Sequence, residues 1–208
     1  MSKALRKREH SHFAEKVNLR LDALPDKESI KVLDCFAGKG RLWKKIREER
    51  PDRKITVVGI DKMGQKGITL KGNNLKYLGG MNLNKFDIVD LDAYGIPFAQ
   101  LAVIFEKGFQ GRVVLIWIQS IWGRLPKRFL YALGYTRKMV EKCRTLFNRH
   151  GFEKLKQYLA KNGIRQIKTM SFGQKHYLWF EMPKTLDRSG LYDIINNKRG
   201  EGVVRLSI

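Results

Sequence analysis

Three groups of residues in this chain have types and spacings suited to chemistry. Asp34-Cys35-Phe36-Ala37-Gly38-Lys39-Gly40 is a loop with two glycines, Asp61 follows 21 positions after Gly40, and Asp90 and Asp92 stand two apart. Glycines let a backbone approach a ligand closely, and a helix opening directly after them offers free N–H groups. An acid closing the next strand accepts both hydroxyls of a ribose such as adenosine's. Two carboxylates at i and i+2 of a strand share one face.

Those roles require particular elements, and the hydrophobic pattern supplies them. Lys31–Cys35 reads as a short buried strand, and Arg41–Arg50 as a helix stopped by Pro51. Ile55–Ile60 is a second strand, closed by Asp61. Residues 62–84 are rich in Gly and Asn and hold at most a short helix and a stub of strand. Phe86–Leu91 and Arg112–Gln119 are further strands, with a helix near Phe98–Lys107 between them. Basic amphipathic helices are expected near 136–148 and 151–161, then a hairpin of Gln166–Phe172 and Lys175–Met182 about Gly173-Gln174. Strands buried on both faces and alternating with helices predict an α/β fold, a Rossmann-like, mostly parallel sheet flanked by helices, with a C-terminal antiparallel edge hairpin. The expected organisation is a basic N-terminal arm over 1–27 that includes a short helix, one domain over 28–183, and a polar tail over 184–208 with a weak strand at Val203–Leu206.

The loop narrows the ligand. A dinucleotide fingerprint wants a third glycine three residues after Gly40, and that position is Trp43; no G-K-[ST] of a P-loop is present. Asp34 inside the loop repels a bare pyrophosphate and suits a ligand with an ammonium or sulfonium charge. A nucleotide-type ligand is expected here, with S-adenosylmethionine favoured over NAD. Its candidate contacts are Asp34, Phe36, Ala37, Gly38, Gly40, Asp61 and Lys62.

With that loop and acid, the chain resembles class I methyltransferases. Phe86-Asp87-Ile88-Val89-Asp90-Leu91-Asp92-Ala93-Tyr94-Gly95-Ile96-Pro97 is similar to the D-x-D-P-[FY]-G-x-P motif of tRNA N2-guanine dimethyltransferases, with Ala93 in place of the motif's proline. The resemblance covers residues 30–120 and implies an S-adenosylmethionine cofactor and a base amine in RNA as substrate. An exocyclic amine delocalises its lone pair into the ring; a carboxylate that accepts its N–H bonds localises that pair and takes the proton. Asp92 is the candidate acceptor, with Asp90 beside it, the Ala93 carbonyl sharing the work and Tyr94 stacking on the base. The alternatives are a turn in which Asp92 caps Tyr94-Gly95 and Asp90 pairs with a lysine, or a metal site, for which two carboxylates without further ligands are poorly equipped.

Charge points to the partner. Forty-two Lys and Arg against 20 Asp and Glu give +22, which phosphate neutralises well. Between Arg124 and Lys168 there are thirteen Lys or Arg against Glu141 and Glu153, interleaved with Phe129, Tyr131, Tyr135, Phe147, Phe152 and Tyr158. The segment Arg124–Tyr135 lacks a core-forming period, so Arg124, Lys127 and Arg128 are the candidate nucleic-acid contacts, with RNA favoured over DNA. Cys35 and Cys143 have no disulfide or zinc spacing, and Cys35 is read as a small buried loop residue. Trp117 is read as core, Trp122 as a candidate wall of the target pocket, and His176 as a sheet histidine with satisfied partners. No apolar run reaches membrane-spanning length and the N-terminus lacks a signal-like stretch, so a cytoplasmic protein without membrane contact is expected. A DNA amino-methyltransferase, a non-catalytic nucleic-acid binder on a degenerate methyltransferase fold, and an NAD-dependent oxidoreductase remain the other readings.

Overall fold

The structure, a computed structural model, describes residues 12–64, 69–119, 125–143, 145–183 and 201–205. Helix α1 (Phe13–Asp22) precedes β1 (Ser29–Asp34), α2 (Arg41–Glu49), β2 (Lys54–Asp61), β3 (Leu70–Lys71) and α3 (Asn74–Gly80). There follow β4 (Ile88–Leu91), α4 (Phe98–Glu106), β5 (Arg112–Ile118), and the helices α5 (Lys127–Ala132), α6 (Arg137–Lys142) and α7 (Leu146–Lys161). The chain closes with β6 (Gln166–Phe172), β7 (Lys175–Glu181) and β8 (Glu201–Arg205).

All eight strands join one sheet in the order β3-β2-β1-β4-β5-β7-β6-β8. The first five are parallel, whereas β7 runs antiparallel to both β5 and β6, and β8 antiparallel to β6. The expected Rossmann-like sheet is therefore present. Its hairpin forms with β7 as the inner strand, and β8 lies beyond β6. The order reverses between β1 and β4, which opens a crevice at the strands' carboxyl ends, where open α/β sheets bind ligands.

Strand β5 explains why its sequence shows no alternation. Val113, Leu115 and Trp117 face a core shared with α3, α4, α5 and α7, while Val114 and Ile116 face a second core built with α1 and α2. Both faces are dry, so every position from Val113 to Ile118 is apolar. Trp117 is core, as expected, and among the described residues no helix is long and apolar enough to cross a membrane.

Three expectations need correction. The helix predicted over 136–148 stops at Lys142, because Cys143 has an extended backbone, and α7 starts at Leu146 and runs through position 151 without a break. Gly151 permits that continuity: a Cβ there would sit 2.7 Å from the Phe147 ring. The segment before these helices does have a core role. Phe129, Leu133 and Tyr135 are buried, Phe129 edge-on to Phe98 with centroids 4.8 Å apart, while Lys127, Arg128 and Tyr131 of that stretch look outward. Finally, α1 is no free arm: Val17, Leu19 and the following Ala23 and Leu24 pack into the second core. Arg124 and Trp122 lie outside the described residues.

Candidate active site

Strand β1 ends at Asp34 and the chain turns through a loop held on three sides. The Ala37 N–H donates to the Ile60 carbonyl (3.1 Å), and Asn74 Nδ2 donates to the Cys35 carbonyl (2.8 Å) while accepting from Gln100 Nε2 (2.9 Å). Asn74 and Gln100 were not singled out in the sequence; side-chain amides opening α3 and lying in α4 have no local pattern to betray them. Asp61, at the end of β2, accepts from the Gly38 N–H at 3.1 Å and the Met63 N–H at 2.7 Å, so the loop and the acid form one unit.

Gly38 and Gly40 have φ of 53° and 65°, the left-handed region where a side chain strains the backbone. A Cβ at Gly40 would meet nothing within 4 Å and one at Gly38 only the Phe36 carbonyl, so the loop presents an open backbone surface. Phe36 and Ala37 are half-buried and Lys62 exposed. Residues present therefore fit a nucleoside cofactor with a backbone cradle and an acid for the ribose, while Asp34, expected to meet a cationic end, is buried and accepts from the Phe36 N–H (3.1 Å). Trp43, where a dinucleotide fingerprint has glycine, is buried and donates from Nε1 to Asp90 (2.8 Å).

Across the crevice, Asp90 and Asp92 do share a face, and α1 has claimed both. Arg20 donates from Nε and Nη2 to Asp90 (2.6 and 2.8 Å), from Nη2 to Asp92 (3.2 Å) and from Nη1 to the Lys16 carbonyl (2.9 Å). Lys16 Nζ donates to both oxygens of Asp92 at 2.7 and 2.9 Å. Arg20 is 0% and Asp90 1% exposed, so no ligand reaches Asp90; it anchors α1 and α2 to the sheet. The lysine pairing foreseen for Asp90 belongs to Asp92, which binds these cations. The Asp92 side chain remains 12% and that of Lys16 20% exposed. Tyr94 is 81% exposed, and the Ala93 carbonyl accepts from the Gly95 N–H (3.1 Å).

The electrostatics follow from burial. Loss of water opposes the Arg20 charge, but Asp90 and Asp92 outweigh it and keep the guanidinium firmly protonated. Burial, and then the neighbouring Asp90, hold the Asp34 carboxyl well above the ordinary aspartate range. Burial likewise raises the Cys35 thiol, an inert loop residue as expected. Among the described residues no three His, Cys, Asp or Glu side chains are placed to hold a metal.

On the other face of the same sheet end, His176 is 8% exposed, stacked flat on Phe152 with centroids 3.8 Å apart. Its Nε2 lies 3.2 Å from the Gln119 Oε1, an acceptor only, so Nε2 carries the proton and Nδ1 accepts from the Ser171 hydroxyl at 2.8 Å. Gln119 also accepts from the Phe152 N–H and donates to the Asn148 carbonyl, tying α7 to β5.

No family model and no curated protein matches the chain. Among solved structures it resembles a putative class I S-adenosylmethionine-dependent methyltransferase from Listeria monocytogenes (13% identity, 83% of this chain and 62% of that one, TM-score 0.45). It also resembles a putative S-adenosyl-L-methionine-dependent methyltransferase from Methanococcus maripaludis (12%, 88% and 92%, 0.46) and a 16S rRNA N2 methyltransferase from T. thermophilus (12%, 93% and 46%, 0.45). The chain thus spans less than two thirds of the Listeria and T. thermophilus proteins. Likenesses at such identity carry no chemistry with them, so the function is argued from the residues.

Proposed function

We propose that this chain is an S-adenosylmethionine-dependent methyltransferase acting on an exocyclic base amine of RNA. The observation that carries the reading is Asp92: a carboxylate at the carboxyl edge of β4, across the crevice from the glycine cradle, which already accepts two N–H bonds, here from the Lys16 ammonium. The Gly38 and Gly40 backbone holds the cofactor and Asp61 its ribose hydroxyls, while buried Asp34 shapes the loop through the Phe36 N–H. When bound, that cofactor supplies a methyl group made electrophilic by a sulfonium.

Asp92 accepts the N–H bonds of the target amine, localises its lone pair and takes its proton as the amine is alkylated. Asp90 and Arg20 fix the strand end so that Asp92 meets the amine in one orientation, which lowers the entropic barrier to in-line attack. The thirteen cations of the 124–168 stretch suit a polymer of phosphates better than a small acceptor.

The test is transfer of radiolabelled methyl to total RNA and to DNA, by wild type and Asp92→Ala, with cofactor binding followed separately by calorimetry. Transfer to RNA that falls about 10²–10⁴-fold in the variant at unchanged cofactor affinity is expected. One observation favours a second reading, a non-catalytic RNA binder on a degenerate site: Lys16 and Arg20 both ion-pair with Asp92. Cofactor binding without any methyl transfer selects it.

A further inference from the structure

The first turn of α1 makes contacts that the reaction above does not use. His12, at its N-terminus, has a φ of 64°, a backbone that non-glycine residues rarely adopt, and its side chain makes no capping hydrogen bond. The imidazole lies instead on the ring of Phe172 at the end of β6, centroids 4.2 Å apart and planes 27° from parallel. Tyr177 closes the corner, 5.9 Å from His12 and 5.5 Å from Phe172, and Glu15 stands 3.7 Å from His12 Nδ1. One helical turn on, Lys16 reaches Asp92 and holds its ammonium 5.9 Å from the same Tyr177 ring.

A flat nitrogen heterocycle stacked on an aromatic face, with an amine beside it on a carboxylate, is the set of contacts an amino-bearing nucleobase makes. Phe172 closes β6, Tyr177 lies near the start of antiparallel β7 and Asp92 directly follows β4, all at one end of the sheet, while His12 sits at the N-cap of α1 and Lys16 lies in its first turn. The receiving side is thus part of the sheet, and the occupying side is a single helical turn. Strained backbone at His12 is the mark of a residue held by its contacts and not by its own preference.

We propose that Phe172 and Asp92 form the subsite for the target base, and that His12 and Lys16 fill it until RNA arrives. The base stacks on Phe172 where His12 lies, and its exocyclic amine replaces Lys16 on Asp92. The ligand is a guanine, adenine or cytosine from a single strand or loop, since a stacked base must leave its duplex first. The proposal rests on Asp92 being the amine acceptor, but it concerns binding and requires no methyl transfer.

The test is calorimetric titration of the full chain with guanosine, adenosine and cytidine, against inosine and uridine, which lack the exocyclic amine. S-adenosylhomocysteine is kept at saturation, so that adenosine cannot report the cofactor cradle. At least one amino nucleoside should bind about tenfold or more tightly than inosine and uridine. His12→Ala should strengthen that binding by a few-fold, because it removes the competitor; a misfolded variant cannot gain affinity. Phe172→Ala should weaken it roughly 5- to 100-fold, the usual loss of a base-stacking platform, with the S-adenosylhomocysteine titration unchanged as the check that the variant stays folded. Nucleosides with and without the amine binding alike, or His12→Ala binding no better than wild type, overturns the subsite. A chain that fails to bind S-adenosylhomocysteine sinks the cofactor reading instead, and the nucleoside contrasts still decide this one.

Discussion

The guanidinium of Arg20 and the carboxylate of Asp90, 70 positions apart, meet in two hydrogen bonds of 2.6 and 2.8 Å with neither side chain open to water. Removing one partner leaves a buried charge uncompensated. Arg20→Met should cost about 3–5 kcal/mol in denaturant unfolding, and pairing it with Asp90→Leu should recover part of that loss. A double variant no more stable than the single one would mean the pair does not act as a unit.

Asp61 orders the Gly38 and Met63 amides, and under the proposed function it would also accept the ribose hydroxyls. Asp61→Ala should weaken S-adenosylmethionine binding by roughly 1.5–3 kcal/mol. Gly38→Val should weaken it more, because valine is strained at a φ of 53° and its side chain enters the cradle. Calorimetric titrations unchanged in both variants would move the site elsewhere.

Lys127 and Arg128 open α5 with exposed side chains and no ion pair among the described residues. Replacing both with alanine should flatten the log–log dependence of RNA affinity on salt by up to about 2 units and spare cofactor binding. Filter binding across a salt series measures the slope. An unchanged slope removes α5 from the contact surface.

His176 gives a pH dependence of definite sign. Burial, helped by nearby Lys156, lowers its pKa from 6.5 to about 4. The unfolded chain therefore takes up a proton near pH 6.5 that the folded chain refuses until near pH 4. Its contribution is full above pH 6.5 and is lost as the pH falls toward 4, by up to roughly 3 kcal/mol. His176→Gln should remove that acid-side slope from urea midpoints measured between pH 7 and 4.

Local pattern carried the fold a long way. The unbroken apolar run of β5 told of burial on both faces, and the turn at Gly38 and Gly40 followed from their spacing after a strand. What the sequence hid was partnership over distance. Arg20 interrupts the apolar spacing Phe13, Val17, Leu24 that runs along α1 and past its end, a position where a charge implies a buried partner, but nothing local names Asp90 as that partner. The expectation that Arg124–Tyr135 lacks a core role failed at Phe129, Leu133 and Tyr135 for a similar reason. Six-residue α5 is too short to show a period, and its Phe129 is buried by Phe98 and Trp117 from elsewhere in the chain.

The place of β7 between β5 and β6 has a consequence for biogenesis. By residue 118 the parallel half of the sheet has been synthesised, but the outer edge of β5 must wait for Lys175–Glu181. Through those intervening residues the nascent chain exposes a long hydrophobic strand edge, open to pairing with the wrong neighbour. Synthesis that stalls within the basic helices would leave that edge bare and open to mispairing.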